Sequence, residues 1–207
     1  MPRQRTESSI APRRGGFASY RTSLGRLSVL AAVVPVLLLC APTARTQDVT
    51  EPALKAAFIY TFAKFTDWPL DTLPAKAVFT ACVVGDIPVS DALARAVKGR
   101  QLGGRTMNVL RMEVDGAVRS CHLLYVAGIS TPETSAVLSA ARGTAILTIS
   151  EMDDFIRLGG VAHMFVLQGK MRFEINLDAA RLSKLQLSSQ LLALATHVFE
   201  TRVAGPR

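Results

Sequence analysis

Gly159-Gly160-Val161-Ala162-His163-Met164-Phe165-Val166-Leu167-Gln168-Gly169-Lys170-Met171-Arg172-Phe173-Glu174-Ile175-Asn176-Leu177 reads as two paired strands with a turn at Gly169. In the first strand Val161, Phe165 and Leu167 alternate with Ala162, Met164 and Val166, so both faces are apolar, as in a strand covered on both sides. The second strand sorts by face. Met171, Phe173, Ile175 and Leu177 fall on one side and Arg172, Glu174 and Asn176 on the other, which predicts a half-solvated strand near a sheet edge. Beyond it, Leu187, Leu191, Leu194 and Val198 recur at helical spacing and predict a helix over Gln190–Phe199, with Ser188 or Ser189 as its N-cap.

Upstream of the hairpin, strands and helices alternate. A helix over Glu51–Asp67 starts after Thr50 and stops before Pro69. A strand over Val78–Val84 ends at Gly85-Asp86, and a helix over Val89–Lys98 closes at Gly99. Strand Thr106–Met112, strand Leu123–Ala127, helix Pro132–Ala141, strand Ala145–Ile149 and a short helix Glu151–Leu158 continue the pattern. The expectation is an α/β fold: a single domain with a mostly parallel sheet flanked by helices, a C-terminal β-hairpin and a closing helix.

The N-terminal segment has a different character. Arg3, Arg5, Arg13, Arg14, Arg21 and Arg26 precede the apolar run Val29–Leu39 and the small residues that follow it, the order of a secretory signal peptide. The run falls short of the roughly 20 apolar residues that a bilayer span needs, and Pro35 interrupts it. We therefore expect a signal peptide over residues 1–44, cut between 41 and 47, and an α/β domain over 45–207. Arg13-Arg14 lacks the spacing of a twin-arginine signal, and Leu39 is bulky where lipidation of Cys40 needs a small residue. Residues 1–47 hold seven arginines and one acid, so the overall net charge of +8 falls to about +2 beyond them. The basic pI of 9.9 belongs to the leader, and no basic patch with interleaved aromatics supports nucleic-acid binding.

No catalytic constellation emerges. Val83-Val84-Gly85-Asp86 is like the end of a nucleotide-binding strand, but no Gly-x-Gly-x-x-Gly follows and turn glycines are the simpler reading. His122, His163 and His197 lie in separate elements without metal-ligand spacing, and no serine sits in a Gly-x-Ser-x-Gly elbow. Neither an enzyme nor a cofactor nor a metal is expected. Phe58, Phe62 and Phe65 share a helix face suited to the core, which turns Tyr60 and Trp68 elsewhere as a rim that packs under a loop or meets a partner. Cys82 and Cys121 both adjoin apolar runs. In an oxidising compartment such a pair is bridged, and a loop of that length is worth about 4 kcal/mol on the chain-entropy model; two buried thiols are the alternative.

The blocks Leu54–Pro69, Cys82-Val83-Val84-Gly85, Leu147-Thr148-Ile149-Ser150 with Phe155, Gly159 and Gly160, Phe173–Ala180 and Leu187–Leu192 together resemble the YfiR-like family of exported bacterial proteins. The resemblance spans about residues 51–200. It implies a periplasmic repressor that docks on the periplasmic sensor region of an inner-membrane diguanylate cyclase, with no transmembrane span of its own; a homodimer stays open. It also favours the Cys82–Cys121 bridge, since members commonly have a disulfide at this spacing, while the second cysteine pair that some members carry near the late hairpin has no counterpart here. Arg172, Glu174, Asn176, Tyr60 and Trp68 are the expected partner contacts. The alternative is a periplasmic small-molecule sensor with its cleft at Gly85 and Asp86, where the strand C-termini of an open α/β sheet bind ligands.

Overall fold

The computed structural model describes residues 49–201; the signal-peptide reading of residues 1–44, with its cut between 41 and 47, lies outside them. Helix α1 (Glu51–Lys64) is followed by the short strand β1 (Thr66–Asp67), strand β2 (Phe79–Val84), helix α2 (Ile87–Val97), and strands β3 (Gln101–Leu102) and β4 (Arg105–Met112). A 3-10 turn at Val118–Ser120 leads to β5 (Leu123–Val126), helix α3 (Thr131–Ala141), β6 (Leu147–Ser150), β7 (Ala162–Leu167) and β8 (Lys170–Asn176). Helix α4 (Leu177–Leu182), β9 (Gln186–Leu187), helix α5 (Ser189–Leu194) and β10 (His197–Phe199) complete the chain.

Eight strands form one sheet in the order β10-β8-β7-β6-β5-β2-β4-β3, and β1 pairs with β9 in a separate two-stranded ribbon. The pairings from β4 through β2, β5 and β6 to β7 are parallel, while β8 runs antiparallel to β7. The mixed α/β fold with a mostly parallel sheet and a late hairpin is therefore as the strand-helix alternation predicts. Period-two alternation sorts the core into two layers. Phe79, Ala81 and Val83 of β2 join Leu123 and Tyr125 of β5 beneath α1 and α2. Cys82 and Val84 join Leu124 and Val126 on the opposite face, with Val137 and Ala141 of α3.

Local chemistry sets the helix starts. Asp86 accepts from Val89 N at the head of α2, Ser130 and Glu133 form a capping box on α3, and Ser188 caps α5. Thr50 holds the N-cap position of α1 without a side-chain bond, and Pro52 in the first turn lacks only an N–H that would have no partner there.

Three expectations need correction. The helix predicted over Gln190–Phe199 stops at Leu194, because the chain is drawn back to the sheet: Thr196 N donates to Phe173 O, and His197–Phe199 pair in parallel with Glu174–Asn176. The second hairpin strand still lies near the sheet edge, as its face-sorting predicts, covered by β10 only at Glu174–Asn176. The segment after β6 is a run of turns, not a helix, with Asp154 at φ 62° and Phe155 wholly buried. Helix α1 ends at Lys64, because Thr66 and Asp67 pair with Leu187 and Gln186.

Candidate functional site

In an open α/β sheet the place to look first is the C-terminal end of the strands, at the point where the order reverses. Here that point lies between β2 and β5, whose crossovers leave in opposite directions through α2 and α3. The two loops close on each other. Gly85, at φ +82°, passes so near the next loop that a Cβ on it would stand 1.9 Å from the Ala127 carbonyl oxygen, and one on Gly128 would stand 3.0 Å from Gly85 O. Asp86 uses a carboxylate oxygen to accept from Val89 N at 3.0 Å. The two residues expected to form a ligand cleft thus have roles in the fold: Gly85 permits backbone contact and Asp86 caps a helix.

Beside them stands a charged group that the sequence did not disclose. Lys55, only 7% exposed, reaches Glu51 Oε1 at 2.8 Å and Glu151 Oε2 at 2.5 Å, which ties the start of α1 to the turn after β6. Burial works against its charge, but the hydrogen bonds and negative charges of Glu151 and Glu51 outweigh it and hold the ammonium above its ordinary range. The Tyr125 hydroxyl is buried without a hydrogen-bond partner, and burial, aided by the charges of Glu151, Asp86 and Glu51, raises its pKa strongly.

The hairpin carries a second polar group. Gln168 and Gly169 both have positive φ, 51° and 71°, so the connection is a two-residue turn of the mirror-image type that suits strand twist. That turn sets His163 opposite Glu174. His163 Nδ1 lies 3.0 Å from Glu174 Oε1, its ring stacks on Phe165 with centroids 5.4 Å apart, and its Nε2 is buried without a partner. Asn176 accepts from Ala179 N as the cap of α4 and donates from Nδ2 to Ile156 O. Of the three polar residues predicted on the solvated face, only Arg172 is exposed.

The hairpin is also less covered than its apolar first strand implies. β6 pairs with β7 only at Ala162 and His163, and β10 reaches only Glu174–Asn176 on β8. The remaining turn-side half extends as an arm on which Val166 is 66% exposed and Leu167 47%.

Tyr60 and Trp68 separate. Trp68 Nε1 donates to His122 O at 3.1 Å and its ring meets Phe79 edge-on at 4.9 Å, so it fastens a loop to the sheet. Tyr60 is half-buried and receives the Arg100 guanidinium 5.9 Å from its ring centre. Cys82 and Cys121 are joined by a disulfide, Cα atoms 5.9 Å apart, within the smaller core layer. Among the described residues no His, Cys, Asp or Glu group is arranged to hold a metal ion, and no helix is long and apolar enough to cross a membrane.

These features define an α/β domain with a mostly parallel sheet, whose polar groups at the strand ends fasten elements together and whose late hairpin protrudes with Val166 and Leu167 exposed. The chain belongs to the YfiR/HmsC-like family, whose model matches residues 52–196, a family of periplasmic regulators. Among solved structures, a conserved domain protein from Vibrio cholerae is similar at 14% identity and a TM-score of 0.44, over 72% of this chain and 60% of that one. An ABC domain from Streptococcus pneumonia, solved in complex with L-Trp, is similar at 12% identity and a TM-score of 0.45, over 67% of this chain and 60% of that one. The match thus covers 60% of the length of each of these solved chains.

Proposed function

We propose that this protein is a periplasmic binding regulator that holds an inner-membrane diguanylate cyclase inactive by docking on the cyclase's periplasmic sensor region. Family membership over residues 52–196 carries the reading. The mechanism is a population shift. A regulator that binds the inactive cyclase about 100-fold better than the active one moves the equilibrium by about 2.7 kcal/mol, and one that binds both equally moves nothing. The contact surface on this reading is the hairpin arm, where Leu167 and Arg172 are exposed on a short two-strand projection. Glu174, Asn176 and Trp68 drop out of the contact set because each is already bonded within the fold.

The test is genetic and then residue-level. Deleting the gene raises cellular cyclic-di-GMP and attachment, and Leu167→Glu or Arg172→Glu does the same while the protein accumulates at its normal level. Unchanged cyclic-di-GMP in the deletion strain refutes the regulatory reading.

A further inference from the structure

At the far side of the sheet from the hairpin, β4 is eight residues long, yet β3 pairs with only Arg105 and Thr106. The outer edge of the stretch from Met107 to Met112 has no strand partner among the described residues, although its inner edge is fully paired with β2. An unpaired edge of this length presents a row of N–H and C=O groups that an extended chain can complete.

Alongside that edge runs a groove of about 420 Å³, between the end of α2 and β4. Val97, Met107 and Val109 give it an apolar floor, and Lys98 and Arg100 stand on its rim. Neither cation has a carboxylate partner among the described residues, and no Asp or Glu lines the groove. On the strand itself the arginines are engaged: Arg105 donates to the carbonyls of Leu73 and Pro74, and Arg111 pairs with Asp91. Arg100 is held against the Tyr60 ring, which keeps its charge at the groove.

The geometry points to a strand-addition site on the β4 edge for an extended, acidic segment of another protein: main-chain bonds along Met107–Met112, apolar side chains on Val97 and Val109, and carboxylates at Lys98 and Arg100. Charge favours an acidic segment over a second copy of this chain, because the copy's own edge, Met107–Met112, has no carboxylate to offer Lys98 and Arg100. The site stands apart from the hairpin arm, so it does not depend on the cyclase reading.

The probe is an acetylated octapeptide of alternating Val and Glu, compared with its Val/Lys counterpart and with an acidic version bearing Pro at every second position, which cannot complete a ladder. Amide exchange and shift changes are followed by NMR on the whole protein. The acidic peptide should protect amides within 107–112, bind at least tenfold more tightly than the Lys peptide, and lose that preference in Lys98→Glu/Arg100→Glu, whose substituted residues are exposed. The Pro peptide should not bind. Equal binding of the acidic and basic peptides, protection elsewhere, or an unchanged affinity in the double variant overturns the proposal. Concentration-dependent protection of the same amides in the protein alone does so too, by assigning the edge to a second copy.

Discussion

Replacing Gly85 with alanine tests whether the reversal point of the sheet is closed or merely narrow. Two costs meet at that position. The backbone sits at φ +82°, where an L-residue is disfavoured by about 1–2 kcal/mol. A Cβ there would lie 1.9 Å from Ala127 O and 3.0 Å from the Ile129 Cγ2 methyl, and forcing an extra carbon into a packed site costs about 1–3 kcal/mol more. Gly143 supplies the control, since at φ +74° it bears the first cost with nothing within 4 Å of its would-be Cβ. Urea denaturation followed by far-UV circular dichroism, with the disulfide intact, should therefore show Gly143→Ala losing about 1–2 kcal/mol and Gly85→Ala about 2–5 kcal/mol. Each kcal/mol corresponds to about 2–4 °C in Tm for a chain of this size. If Gly85→Ala costs no more than Gly143→Ala, the loops after β2 and β5 can part freely. A small-molecule sensor with its cleft at Gly85 and Asp86 would then move ahead of the regulator reading.

A non-reducing proteolytic digest of exported protein should yield the Cys82 and Cys121 peptides linked, and Cys82→Ser/Cys121→Ser should lose about 4 kcal/mol; two separate thiol peptides would overturn this. His122 has its pKa held below the ordinary value, chiefly by burial and further by the nearby Arg105 charge, against a hydrogen bond with the Thr72 backbone. A base whose folded-state pKa is depressed contributes stability that is whole above about pH 6.5 and declines as the pH falls below it. Stability should therefore drop between pH 7 and pH 5, and less steeply in His122→Asn, whose amide oxygen can still accept from Thr80 N; equal slopes in the two proteins would show that His122 plays no part.

The sequence disclosed most where one physical signal acted alone. The buried apolar runs of β2, β5 and β6 and the face-sorting of β8 are visible in the residues themselves, and the α/β class follows from their alternation with helices. It misled where a local pattern competed with a distant partner. Leu187, Leu191, Leu194 and Val198 keep helical spacing, yet His197–Phe199 leave the helix because β8 offers a free edge, and nothing near Val198 records that offer. The turn-rich run after Ser150 contains acids and apolar residues at helical spacing, but Asp154 in the left-handed region breaks it. The His163–Glu174 pair was within reach of the sequence: a two-residue turn at Gln168-Gly169 fixes the register and sets these residues opposite each other. Alternation alone gives only the face, so Glu174 read as solvated when it has an ionisable partner across the strand. The bond between Lys55 and Glu151 had no such signal, since it joins residues far apart in the chain through the placement of α1 on the sheet.

The reversal of direction at the hairpin has a practical consequence for handling the protein. Because β8 and β10 run against the other long strands while α1 begins beside Glu151, at the strand C-termini, the described chain enters at one end of the sheet and leaves at the other. The arm continues four residues past the last β6 pairing, about 13 Å at strand rise, on the side where the chain enters. Coupling to a bead or sensor chip beyond Thr201 therefore points the arm into solution, whereas coupling ahead of Val49 turns it toward the support. A capture experiment run in only one of these orientations could report no partner for reasons of attachment alone.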